Sequence, residues 1–92
     1  MRCLLLNKLG KPEDLILTTL PNPKPGDGEL VVDMYAAAVN FADILSIAGE
    51  YQFKPKLPFV PGREGAGIVS EVGKNVSRFK PGDRVMLQTN FG

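Results

Sequence analysis

Residues 61 to 72 read PGREGAGIVSEV, and two kinds of chemistry could be housed there. Gly62, Gly65 and Gly67 raise the prospect of a loop that cradles phosphate on its backbone N–H groups. Arg63 and Glu64, set between them, raise the prospect of a corner that holds a ligand or does catalysis. The phosphate prospect fails on order. A dinucleotide loop runs Gly-x-Gly-x-x-Gly after a strand and opens a helix, so that phosphate meets the helix N-terminus. Here the spacing is Gly-x-x-Gly-x-Gly, and the following IVSEVG is β-branched and alternating, hence a strand. A Walker-type loop would need Gly-Lys-Ser or Gly-Lys-Thr, and neither occurs. Gly65 and Gly67 therefore read as places where a second backbone lies close against the strand.

A second polar group stands in NFADILSIAGEY: Asn40, Asp43, Ser46 and, at its end, Tyr51. The plain structural reading gives each an ordinary task. Asn40 starts a helix, Asp43 complements the positive end of the first turn, Ser46 faces water and Tyr51 packs half-exposed. Ile44, Leu45, Ile47 and Ala48 hold helical spacing, and Gly49 supplies the stop. The helix spans about two turns. Lys80-Pro81-Gly82-Asp83-Arg84 reads as a tight turn entering a strand and needs no functional role.

Composition narrows the chemistry further. There is no histidine and one cysteine, Cys3, which excludes Ser-His, Cys-His and Cys/His zinc arrangements within these residues. Any catalysis must rely on an outside cofactor or on Asp, Glu, Tyr, Lys and amides. Cys3, in the apolar run MRCLLL, reads as a buried, inert thiol, and the absence of a cysteine framework favours a reducing cytoplasmic setting. Eleven basic and ten acidic residues are interspersed, net charge +1, with no stripe dense enough for nucleic acid. The apolar run at the N-terminus is too short for a signal peptide or a membrane span.

The elements that must position these residues are short. Ninety-two residues with eight prolines and ten glycines favour strands joined by turns. Strands are expected over residues 2–6, 15–20, 30 to about 35, 65–73 and 84–88. The third should continue into Ala36–Ala38, small residues where something approaches closely. Turns fill 7–14, 21–29 and 74–83. The fold class is mainly β with a short helix, a barrel-like module.

Taken in order, NFADILSIAGEY followed by PFVPGREGAGIVSEVGKNVSRFKPGDRV resembles the N-terminal catalytic domain of the medium-chain dehydrogenase/reductase superfamily, a GroES-like β-barrel. The likeness runs from MRCLLL to QTNFG and is most specific over Pro61 to Val85. Zinc alcohol dehydrogenases of that superfamily carry cysteine where this chain has Asn40, and histidine where it has Arg63. An amide and a guanidinium cannot replace thiolate and imidazole as ligands. The branch it is similar to is therefore the zinc-independent one, quinone oxidoreductases of the zeta-crystallin type, with enoyl reductases nearby.

That resemblance implies NADPH-dependent reduction of a quinone or another α,β-unsaturated carbonyl by a cytoplasmic enzyme that is a homodimer at full length. No metal, nucleic acid or membrane partner is implied. The cofactor supplies hydride, and hydrogen-bond donors must stabilise the carbonyl that gains charge. Asn40 and Tyr51 are the donors it points to. Phe41, Asp43, Ile44 and Leu45 map onto the nicotinamide contacts, while Arg63 is expected to fill the vacated metal position and pair with a carboxylate. The superfamily also needs a Rossmann domain after the barrel. Residues 1–92 are thus expected to be the first part of the catalytic domain, with half an active-site cleft. Such a part should bind NADPH poorly and associate through open strand edges. Two alternatives stay open: an enoyl or enone reductase of the same superfamily, and a non-catalytic GroES-like module used for binding or assembly.

Overall fold

The computed structural model describes residues 1–89. Strand β1 (Arg2–Leu5) pairs antiparallel with β2 (Ile16–Thr19), Arg2 opposite Thr19 and Leu5 opposite Ile16. A second antiparallel sheet has the order β3 (Leu30–Ala38), β4 (Glu64–Val72), β5 (Arg84–Gln88). A single helix among the described residues, α1 (Phe41–Ala48), links β3 to β4. The architecture is mainly β with one short helix, as expected. Both sheets are open among the described residues, so the module is a partial barrel.

Element ends agree with the sequence reading to within a residue or so, β3 runs on through the alanines to Ala38 as expected, and a 3-10 turn, Pro12–Asp14, sits in the expected turn region. The alanines make the extension possible. Ala36, Ala37 and Ala38 pair with Ala66, Gly65 and Glu64. Between Met34 and Ala36 the register slips, and Tyr35 is the extra residue of a bulge. A Cβ on Gly65 would stand 2.7 Å from the Ala36 carbonyl oxygen, and one on Gly67 would run into the Asp33 carbonyl oxygen. This is the close backbone approach that the glycine spacing implied.

The core is small. Leu6, Ile47 and Phe59 form the buried cluster, with Leu15 packed against it, while Val69 is buried on β4. Leu6 and Phe59 also exchange backbone hydrogen bonds, and the Gly10 N–H donates to the Ile47 carbonyl at 2.8 Å. The chain exposes 6817 Å². A compact monomer of its size would expose roughly 5,200 Å². Part of the excess lies on the second half of β3 and its surroundings, where Tyr35, Val39, Phe41 and Met86 are all largely exposed.

Helix α1 is fixed at both ends. The Asp43 carboxylate accepts the Asn40 backbone N–H at 2.9 Å, and Gly49 stops the helix at φ 77°, with the Glu50 N–H donating to the Leu45 carbonyl. Gly49→Ala is expected to destabilise the chain by roughly 1–2 kcal/mol, because a Cβ is disfavoured in the left-handed region. The same Cβ would also press on the Leu9 side chain. A denaturation midpoint equal to that of the parent chain would contradict this. At the far end of the sheet, the Asp83 carboxylate accepts the Lys80 N–H at 3.1 Å and lies 3.3 Å from the Lys80 ammonium. The backbone hydrogen bond, more than the ammonium, holds the Asp83 carboxyl below its ordinary value.

Candidate functional site

After Ala38 the chain leaves β3, extends through Asn40 (φ −121°, ψ 162°) and enters α1. With Asp43 supplying the side-chain bond of the cap, the Asn40 amide is directed elsewhere. Its Nδ2 donates to Glu64 Oε2 at 3.1 Å. A carboxylate only accepts, so the amide must turn its NH2 toward Glu64. One Nδ2 hydrogen is engaged and the second remains to be offered. Glu64 is well placed to hold it, because its backbone lies in the middle strand, opposite Ala38 on β3 and Gln88 on β5.

Tyr51 follows Gly49 by two residues and is half-buried. The Arg63 guanidinium stands over its ring, Cζ 4.7 Å from the centroid, within cation–π range. The Arg63 carbonyl accepts the Thr89 N–H at 2.7 Å, which ties its backbone to the end of β5. Adjacent residues of one chain thus reach the two donors named from the sequence: Arg63 meets Tyr51, and Glu64 meets Asn40.

The residues assigned to nicotinamide divide between two faces of α1. Phe41 is 71 % exposed and Ile44 44 % exposed, three residues apart on the outer face. Leu45 is half-buried. Asp43 is buried on the inner face with Ile47. Asp43 Oδ1 is buried with no hydrogen-bond partner among the described residues. Asp43 is one of the residues lining a cleft of about 490 Å³ whose other linings are apolar or backbone-like, including Leu4, Leu15, Val39, Ile44 and Pro61. Ser46 is half-buried rather than facing water freely.

Zinc does not suit this donor set. An amide at Asn40 and a guanidinium at Arg63 are not zinc ligands, and Cys3 belongs to β1. Among the described residues, no three His, Cys, Asp or Glu side chains group as they would around a metal ion. Phe41 and Ile44 do suit a flat, apolar ring, which makes a nicotinamide a chemically fitting neighbour. Sequence reasoning raised Glu64 with Arg63 as a corner for a ligand but did not foresee its contact with Asn40. Its signal was the strand register, which sets Glu64 across from Ala38, two residues before Asn40.

Residues 26–92 match the model of the alcohol dehydrogenase GroES-like domain. The human synaptic vesicle membrane protein VAT-1 homolog is 43% identical over all of this chain, which covers 24% of that protein. Mouse quinone oxidoreductase-like protein 2 is 51% identical over 75% of this chain and 20% of its own length. The crystal structure of Escherichia coli quinone oxidoreductase complexed with NADPH superposes with a TM-score of 0.91 at 36% identity, covering 99% of this chain and 28% of that one. This chain spans about a quarter of the length of such relatives. With its match to the domain model and its likeness to quinone oxidoreductases in sequence and fold, the chain belongs to the alcohol dehydrogenase GroES-like domain family of medium-chain dehydrogenases/reductases.

Proposed function

We propose that this chain forms one wall of the active site of an NADPH-dependent quinone oxidoreductase that works without zinc. The observation that carries the reading is the pair Asn40 and Tyr51, an amide held by Glu64 and a phenol ring held by Arg63; Asn40 and Arg63 stand where a zinc enzyme of this superfamily keeps ligands. When bound, NADPH supplies hydride to the acceptor. The remaining work belongs to side chains. Negative charge builds on the acceptor's carbonyl oxygen, and the free Nδ2 hydrogen of Asn40 and the Tyr51 hydroxyl donate to it. Phe41 and Ile44 offer the apolar surface against which the nicotinamide rests, with half-buried Leu45 next to Ile44 in the helix and Asp43 fixing the helix start. The pyrophosphate and adenine need a dinucleotide-binding domain beyond this wall, and the full-length enzyme is read as a cytoplasmic homodimer.

The Escherichia coli quinone oxidoreductase, solved with NADPH, supports the cofactor, and it and the mouse quinone oxidoreductase-like protein 2 support the acceptor class. The test is NADPH consumption by a full-length polypeptide carrying this segment. Steady oxidation of NADPH on addition of 1,4-benzoquinone is expected. Consumption of NAD by a simple alcohol, with no turnover of any quinone, would overturn the assignment.

A further inference from the structure

Two successive residues, neither of them assigned a part in turnover above, contact the two donors. We infer that Arg63 and Glu64 are positioning residues for catalysis: Glu64 aims the Asn40 amide, and Arg63 holds the Tyr51 ring so that its hydroxyl faces the acceptor. The inference rests on the proposed quinone reductase reading for its effect on turnover, although the two contacts themselves stand apart from it.

The geometry is selective. An amide at the end of a loop rotates freely about χ2, and rotation exchanges its donor for an acceptor. An acceptor oxygen facing a developing oxyanion would repel it. The Glu64 carboxylate, 3.1 Å from Asn40 Nδ2, removes that ambiguity because only the NH2 side can meet it. The hydrogen that remains is polarised by the negative charge behind it no more than modestly, so the gain is orientation. Tyr51 poses the converse problem, a ring that can swing about χ1 in a half-buried site. The planar guanidinium at 4.7 Å lies against its face, and the hydroxyl in the ring plane stays available. Arginine suits this contact better than lysine because it stacks as a plate.

The backbone beneath these side chains is anchored. Glu64 is paired on both sides within the three-stranded sheet, and the Arg63 carbonyl is bonded to Thr89. Both donors approach from one connection, the stretch from Asn40 to Tyr51 that contains α1 and its stop. A movement of α1 relative to the sheet would therefore break both contacts together. The dipeptide couples the helix to the sheet at the point of reaction, a task that a scaffold would not require.

The experiment has a spectroscopic arm and a kinetic arm. In the 15N-labelled chain, Glu64→Ala should shift the Asn40 side-chain NH2 resonances and speed their exchange with water, while Glu64→Gln, which keeps an acceptor oxygen, should hold them near the parent positions. In the full-length polypeptide, Glu64→Ala should lower kcat on the order of 10-fold with little change in KM for NADPH. Glu64→Gln should recover most of that loss. Adding Glu64→Ala to Asn40→Ala should cost nothing further, since the residue to be positioned is gone. The same logic links Arg63→Met to Tyr51→Phe, with Arg63→Lys rescuing only in part. Unmoved Asn40 resonances in Glu64→Ala, or losses that multiply in the paired variants, would overturn the inference. If the full-length polypeptide turns over no quinone, the function fails, and the resonances still decide whether Glu64 orients Asn40.

Discussion

Gly67→Val is expected to destabilise the chain by about 3 kcal/mol or more, enough to leave much of a small domain unfolded. Gly67 is buried in the middle strand, and even a bare Cβ there would collide with the Asp33 carbonyl oxygen and crowd Val32. The neighbour is backbone in a paired strand, so it cannot swing aside as a side chain could. Relief would require β3 and β4 to part, which breaks the ladder that joins Val32 through Ala38 to the site-bearing strand. Urea unfolding followed by the dispersion of amide resonances measures this directly. A valine variant with the parent midpoint would show that the two strands are not pressed together as described.

The second large effect concerns turnover. Asn40→Ala combined with Tyr51→Phe in the full-length polypeptide is expected to reduce kcat by roughly 100- to 1,000-fold, the loss typical of removing oxyanion donors. KM for the quinone should change much less, because these donors act most strongly once charge has developed on the acceptor oxygen. The stability cost should be small. The helix start keeps its Asp43 bond to the Asn40 backbone, and phenylalanine retains the ring beneath Arg63. Steady-state kinetics beside a thermal melt separate the two quantities. Loss of stability with intact kcat would mark both residues as structural.

Much of this was legible in the chain because local rules and global fold agree. The helix start at Asn40 with Asp43, its stop at Gly49, and the turn before β5 each follow from residues within four positions of one another. The close approach at Gly65 and Gly67 was readable from glycine inside an alternating strand. The contacts that define the site were not, because they depend on register. Asn40 meets Glu64 across 24 positions, and only after β3 has absorbed a bulge at Tyr35 and β4 a second irregularity opposite Val31 and Val32. Each irregularity moves every later pairing by one residue, and nothing local announces either. The division of α1 was likewise hidden. Asp43 reads as a helix-start residue, which it is, but its burial beside Ile47 follows only once α1 is packed against the rest of the fold.

Arg63 and Glu64 carry the change in understanding. In sequence they suggest a corner that holds a ligand; in the fold, each holds one of the two proposed donors. The corner works at one remove from the substrate. That arrangement gives the zinc-free proposal its physical content, since a fixed amide and a fixed phenol would do the stabilising that a Lewis acid does elsewhere.

The central claim is that charge on the acceptor oxygen is stabilised by these donors and not by a metal ion. Its most direct test is kcat for 1,4-benzoquinone reduction by the full-length polypeptide, before and after exhaustive dialysis against a strong zinc chelator. The same kcat is expected in both samples, with no rise on adding zinc. Activity that disappears with the chelator and returns with zinc would contradict the claim.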